Sequence, residues 1–231
     1  MTGDPRIDGY DWARGREAML RFGPDVGPVV IAVLPLFEEA NRTRAFVAAI
    51  LRMLAVHGIG SALPDLPGQS ESLVLLETVS LLDMQTAFAA AVARIGRDGR
   101  RCYVVTVRSG ALLADTVDLG GCWHLAPQDG PALLRELSRM KRGESGSGLH
   151  NDGSSPVRVA GNLLVPALLA DLATSALHGR GRIVRLSTDP APADRHINGA
   201  PPWRRSEPDT DDALSQILAS DIADWIAACE A

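Results

Sequence analysis

Residues 29–34, Val-Val-Ile-Ala-Val-Leu, are apolar at every position and rich in β-branched side chains. A strand wetted on one face would alternate. One that is apolar throughout is buried on both faces, which points to a parallel sheet with helices above and below it. The rest of the chain repeats the theme. Residues 44–57 carry Phe46, Ile50, Met53 and Leu54 on one helical face, and Gly58 suits the left-handed residue that ends a helix. Short strands are predicted over 59–63, 102–107, 121–125 and 183–187, separated by helices over 75–95, 110–117, 131–141 and 165–177. The 75–95 helix is expected to bury Leu75, Val79, Leu82, Phe88, Val92 and Ile95. Residues 157–160 read as a short strand or extended piece. A last helix is predicted from near Pro208, with Ser206 and Asp209 spaced as a capping box.

Strands alternating with helices predict an α/β fold with a mostly parallel sheet and helices on both faces. The chain, 1–231, reads as one domain without a separate cap. Residues 1–28 are expected to form an edge hairpin, turning at Pro24-Asp25-Val26-Gly27, or an N-terminal extension. Residues 143–155, GESGSGLHNDGSS, read as a flexible loop or flap.

Composition narrows the function. With 46% hydrophobic and 22% charged residues the chain is not disordered. A net charge of −5 and 4% aromatic residues argue against a nucleic-acid binder. No run of eighteen apolar residues predicts a membrane span, and the acidic first residues do not resemble a secretory signal. Cys102, Cys122 and Cys229 form no CxxC pair, which suits reduced thiols in a cytoplasmic protein better than disulfides or zinc. Gly58 and Gly60 precede a strand and do not open a helix, so no dinucleotide fingerprint is present. No cofactor and no metal are expected; His150, Asn151 and Asp152 read as solvated loop residues. The expected partner is a small-molecule or saccharide-derived ligand, with a homo-oligomer left open.

In open α/β sheets ligands bind beyond the C-terminal ends of the strands. The loops predicted there are 35–39, 64–72, 108–111 and 188–203. The most informative segment is strand, turn and helix in one: CYVVTVRSGALLAD. It resembles the nucleophile elbow of the α/β-hydrolase superfamily, G-x-S-x-G, whose sharp turn needs small residues beside the nucleophile. In that register Thr106 takes the first glycine place, Arg108 the nucleophile place and Gly110 the last glycine place. An arginine cannot attack a carbonyl, because its guanidinium stays protonated. Ser109 lies one step late.

Other segments carry the same resemblance. PDLPGQSES is similar to the D-x-x-G-x-G-x-S turn of α/β-hydrolases at Asp65, Gly68 and Ser72, with Ser70 in place of the second glycine. PLFEEANRTR resembles P-F-A-E-E-M-N-K-S-R of the exosortase A system-associated hydrolase 2 family, matching at Pro35, Glu38, Glu39, Asn41 and Arg44. That family's elbow, G-L-R-x-G-A-L-L-A, matches at Arg108, Gly110, Ala111, Leu112, Leu113 and Ala114, and Thr106 departs from it. The resemblance implies an α/β-hydrolase-like protein, its parallel strands ordered second, first, third, fourth, fifth with a short or absent final strand, tied to bacterial exopolysaccharide and exosortase systems.

Two functional readings follow. In the first the protein is a catalytically degenerate homologue that binds an anionic or carbohydrate-derived ligand. Arg108 would then offer a fixed cation, with Glu38 and Glu39 on the opposite lip and Leu36 and Asp65 lining the cleft. Arg108 paired to Glu38 or Glu39 is the plainer expectation for the same residues. In the second the protein is a serine hydrolase of esterase or thioesterase type, using Ser109, Asp189 and His196. Asp189 stands where the acid of such a triad sits, and also where an Asp caps a turn before Pro190. Residues 199–203, where the histidine would fall, contain none; His196 lies three residues earlier.

Overall fold

The run that reads as doubly buried is the centre of the sheet. Strand β3 (Val29–Val33) is buried at all five positions. Val29, Ile31 and Val33 pack into the core of one face, and Val30 and Ala32 into that of the other. The computed structural model describes residues 5–114, 119–145, 155–177 and 181–231. In chain order its other strands are β1 (Arg6–Trp12), β2 (Gly15–Phe22), β4 (Gly60–Pro64), β5 (Cys102–Val107), β6 (Gly121–Leu125), β7 (Val157–Val159), β8 (Asn162–Leu164), β9 (Arg182–Leu186) and β10 (Arg195–Ile197). The helices are α1 (Glu38–Val56), α2 (Leu81–Ile95), α3 (Ala111–Ala114), α4 (Gly130–Ser145), α5 (Pro166–Thr174) and α6 (Asp212–Glu230).

The eight-stranded sheet runs β1-β2-β4-β3-β5-β6-β9-β10. Its six strands from β4 to β10 pair in parallel; β1 and β2 are antiparallel to each other, and β2 to β4. The order of the five predicted strands is therefore the expected one, with the three-residue β10 as a short final strand. Helices α1 and α6 share the core of one face, and α2 to α5 that of the other. The segment from α4 to α5, with the β7–β8 hairpin inside it, contributes Leu137, Val159, Leu164 and Leu168 to the core against the sheet. Among the described residues no helix is long and apolar enough to cross a membrane.

Three local expectations are corrected. The N-terminal hairpin turns at Ala13-Arg14, since Trp12 pairs with Gly15; the Pro24–Gly27 turn instead carries the chain from β2 past β4 to β3. The helix expected over 75–95 begins at Leu81, because Ser80 and Asp83 form a capping box there. Leu75 and Leu82 are consequently exposed, and the buried stripe runs through Leu81, Met84, Phe88, Val92 and Ile95. The last helix is capped by Asp211, whose side chain accepts the Leu214 N–H. Asp209, expected in that cap, pairs with Arg205. The short strand expected over 157–160 is present as β7, one arm of a hairpin turned by Ala160 and Gly161 with φ of 46° and 79°. Residues 146–154 of the expected flap, including His150, Asn151 and Asp152, lie outside the described residues.

Candidate functional site

The site grows from the end of β5. Arg108 takes φ = 54°, in the left-handed region, and starts a 3₁₀ turn, Arg108–Gly110, that leads straight into α3. A non-glycine residue pays for that conformation, so its occurrence here marks a position the surroundings enforce. Gly110 shows the enforcement. A Cβ on it would lie 2.5 Å from the Leu34 carbonyl oxygen and 2.8 Å from that of Val33. The turn passes so close to β3 that only glycine fits.

The left-handed turn directs the Arg108 side chain into a ring of partners. Its Nε and Nη2 face the two carboxylate oxygens of Glu39 at 3.3 and 3.4 Å. Nη2 also donates to Glu136 on α4. The guanidinium stacks on the Trp203 indole, 5.1 Å from the ring centroid. Gln128, in the loop after β6, closes the ring: its Nε2 donates to the same Glu136 oxygen at 2.7 Å, and its backbone N–H to the Arg108 carbonyl at 3.3 Å. Arg108 and Glu39 are largely buried. Burial pushes the Glu39 carboxyl above its usual range; Arg108 pulls it back, and the charge of Glu136 works with burial.

Below the guanidinium lies a second set of bonds. Ser109 is completely buried, and its hydroxyl accepts the Leu36 N–H at 2.9 Å. The next N–H, of Phe37, donates to Gln69 Oε1 at 3.1 Å. Both backbone donors at the mouth of α1 are thus taken by side chains.

The remaining residues singled out in the sequence stand apart from Arg108. Glu38 pairs with Arg42 one turn along α1. Asp65 forms a buried ion pair with Arg44 at 2.6 Å, and its main-chain carbonyl accepts the Tyr10 hydroxyl. Burial raises the Asp65 carboxyl, and Arg44 offsets part of that. Gly68 and Ser72 of the same turn bond to each other, and the Ser72 hydroxyl donates to buried Glu17. These residues tie β2, β4 and α1 together. Among the described residues no group of His, Cys, Asp and Glu side chains could hold a metal ion.

No protein-family model matches the chain, and no curated protein sequence does. Solved structures do. Est1E from Butyrivibrio proteoclasticus, solved with ferulic acid bound, is 12% identical with a TM-score of 0.67, over 95% of this chain and 98% of its own. The haloalkane dehalogenase DbeA-M1 loop variant from Bradyrhizobium elkanii is 14% identical with a TM-score of 0.63, over 98% of both chains. The chain has an α/β-hydrolase fold. At these identities the likeness speaks for the fold alone.

In an active α/β-hydrolase the left-handed elbow residue is the nucleophile, and the oxyanion hole takes one N–H from the loop after the strand equivalent to β3. Here the elbow residue is Arg108, and the Leu36 and Phe37 N–H groups of that loop are occupied. The structure does not bring Ser109, Asp189 and His196 together. Asp189 caps its own turn, accepting the Ala191 N–H at 3.0 Å, and pairs with Arg185 at 2.6 Å. Burial alone would raise its carboxyl; the Ala191 N–H, Arg185 and the more distant Arg108 hold it below the usual carboxylate range. His196 lies on β10, three strands from β5 in the sheet order, with Nε2 3.1 Å from the Ala191 carbonyl oxygen.

Three members of the Arg108 ring escaped the sequence reading: Gln128, Glu136 and Trp203. All three come from elements beyond β6. Trp203 had a signal, since it lies in the stretch where a triad histidine was sought. Gln128 and Glu136 had only a weak one, a hydrogen-bonding side chain just before the Asp129 helix start and another inside the helix that follows.

Proposed function

We propose that the protein is a non-catalytic α/β-hydrolase homologue that binds a small carbohydrate-derived ligand at the Arg108 elbow. Its physiological setting is bacterial exopolysaccharide or exosortase-linked sorting. The observation that carries the first part is the filled oxyanion position. The Leu36 N–H that would stabilise a developing oxyanion is already spent on Ser109 Oγ, beneath an elbow that presents a guanidinium. Ser109, buried and bonded in this way, is no accessible nucleophile.

The ligand class follows from charge and hydrogen-bond bookkeeping. One guanidinium faces two carboxylates, so an added anion would meet surplus negative charge. That favours the neutral branch of the anionic-or-carbohydrate alternative. Two polar groups remain open. Arg108 Nη1 makes no hydrogen bond among the described residues. Gln128 Oε1 is buried without a donor among the described residues. A sugar hydroxyl both accepts and donates, and so answers both. The setting is supported by the 35–44 block and by the arginine-bearing elbow.

The test has two arms. Fluorophosphonate labelling, run beside a reactive hydrolase, should leave this protein unlabelled; a label on Ser109 would replace the reading with the serine-hydrolase one. Thermal unfolding with neutral hexoses and with the matching uronates should show stabilisation by the neutral sugars, lost in Gln128→Leu. Stabilisation by uronates only would overturn the charge argument.

A further inference from the structure

The edge of the sheet opposite the elbow, where the parallel strands begin, carries a second concentration of arginines. A cavity of about 390 Å³ opens there, lined by Arg6, Arg21, Arg94 and Arg100 together with Asp8 and Asp25. The fold assembles it from four places. Arg6 and Arg21 face each other in the β1–β2 register. Arg94 lies in the last turn of α2. Arg100 precedes β5 and donates to the carbonyls of the 24–28 turn.

Three of these guanidiniums share two carboxylates. Arg6 makes a two-point pair with Asp25, Arg21 bridges Asp8 and Asp25, and Arg94 reaches Asp8. Three guanidiniums on two carboxylates leave one positive charge over. The carbonyl end of α2 offsets about half a charge, so the balance stays positive. The Asp25 carboxyl is held below its usual range, first by the hydrogen bond from Arg6 and further by the charges of Arg21 and Arg100. Within this group the Arg21 Nε–H is buried and has no acceptor among the described residues. A native structure seldom leaves such a donor unmet, because it forgoes its hydration for nothing.

We infer that this cavity binds a phosphate group carried by a small molecule. A tetrahedral dianion supplies the missing negative charge, and its several oxygens suit guanidinium N–H groups converging from different elements. A planar carboxylate brings one charge and two oxygens, which is less than the site offers. The cavity lies across the sheet from Arg108 and is independent of the elbow ligand. A phosphorylated metabolite could be held here while the elbow is empty or filled.

The experiment uses the full chain and inorganic phosphate. Thermal unfolding is followed in phosphate and in chloride at matched ionic strength, with ³¹P line broadening as a direct readout of binding. Phosphate should raise the midpoint saturably, by about 2–4 °C. Arg94→Gln, at a half-exposed position, should raise the half-saturating concentration on the order of tenfold and remove the broadening. Arg21→Gln should do the same where it folds, and Arg108→Met should leave the phosphate response intact. Equal midpoints in phosphate and chloride would overturn the proposal. So would a response that Arg94→Gln keeps, or one that Arg108→Met removes, which would put the phosphate at the elbow.

Discussion

The Leu36 N–H ends on the hydroxyl of Ser109, 2.9 Å away and completely buried. That bond decides what Ser109 is for. It stitches the loop after β3 to the elbow after β5 and satisfies a donor that no water reaches. Ser109→Ala should therefore leave a buried N–H unpaired and cost about 1–2 kcal/mol of stability, measurable by urea unfolding. Ser109→Cys, which keeps a weak acceptor, should cost less. Neither change should alter esterase turnover, which is expected at background in all three proteins.

Gly110 should be intolerant of any side chain. Its Cβ would fall 2.8 Å from the carbonyl oxygen of Val33, the last residue of β3, and 2.5 Å from that of Leu34 just beyond it, and backbone at the centre of the sheet cannot give way. Gly110→Ala is expected to cost about 3 kcal/mol or more. Gly96→Ala is the matched control. Its φ is −80°, and the nearest atom to the new Cβ is the Cys102 sulfur at 3.4 Å. It should stay within about 1 kcal/mol of the parent. Denaturation midpoints of the two variants, measured side by side, check the contrast.

How far the sequence reached can be traced through these residues. The sheet centre was legible because burial on both faces leaves no polar alternation in Val29–Val33; the order of the five strands came instead from the resemblance to the α/β-hydrolases. The elbow was legible because its constraints are local: a strand, a left-handed residue and a glycine in contact with the neighbouring strand. Long-range partners were not. Nothing near Arg108 in the sequence announces Glu136 or Trp203, which the fold delivers from 28 and 95 residues away. Helix starts failed where two signals competed. Leu75 and Leu82 fit a helical stripe by spacing, but Ser80 and Asp83 set the phase of α2 and turned both leucines outward. At α6, Arg205 pairs with both Asp209 and Asp211, and it is Asp211 whose second carboxylate oxygen also accepts the Leu214 N–H and caps the helix.

Acid stability should depend on one carboxylate far from the elbow. Asp221 on α6 is buried against the sheet and receives Arg182, Arg195 and the Trp123 indole N–H. Burial would raise its carboxyl, but Arg182, Trp123 and Arg195 together outweigh it and hold it down to about 2. A carboxyl lowered in the folded state contributes stability above its ordinary range, and that contribution is lost as the pH falls toward the folded value. The amount is about 2 kcal/mol. Asp221→Asn should be destabilised at pH 7 and should show a flatter loss between roughly pH 4 and pH 2. Urea unfolding at a series of pH values separates the two curves.

Arg108→Met should produce the opposite pH dependence. At pH 7 the change strands Glu39 and Glu136 around an apolar side chain, at a cost of about 3 kcal/mol. Glu39 already sits above its usual range because of burial, and the cation that restrains it would be gone. A carboxyl raised in the folded state binds a proton there that the unfolded chain has released. Stability then falls as the pH rises above the ordinary carboxylate range, and is recovered below it. The variant should therefore approach the parent near pH 4.5–5, roughly the top of that range, and lose ground steadily toward pH 7. Midpoints for the two proteins that run parallel from pH 5 to pH 7 would show that Arg108 does not hold the Glu39 charge in place.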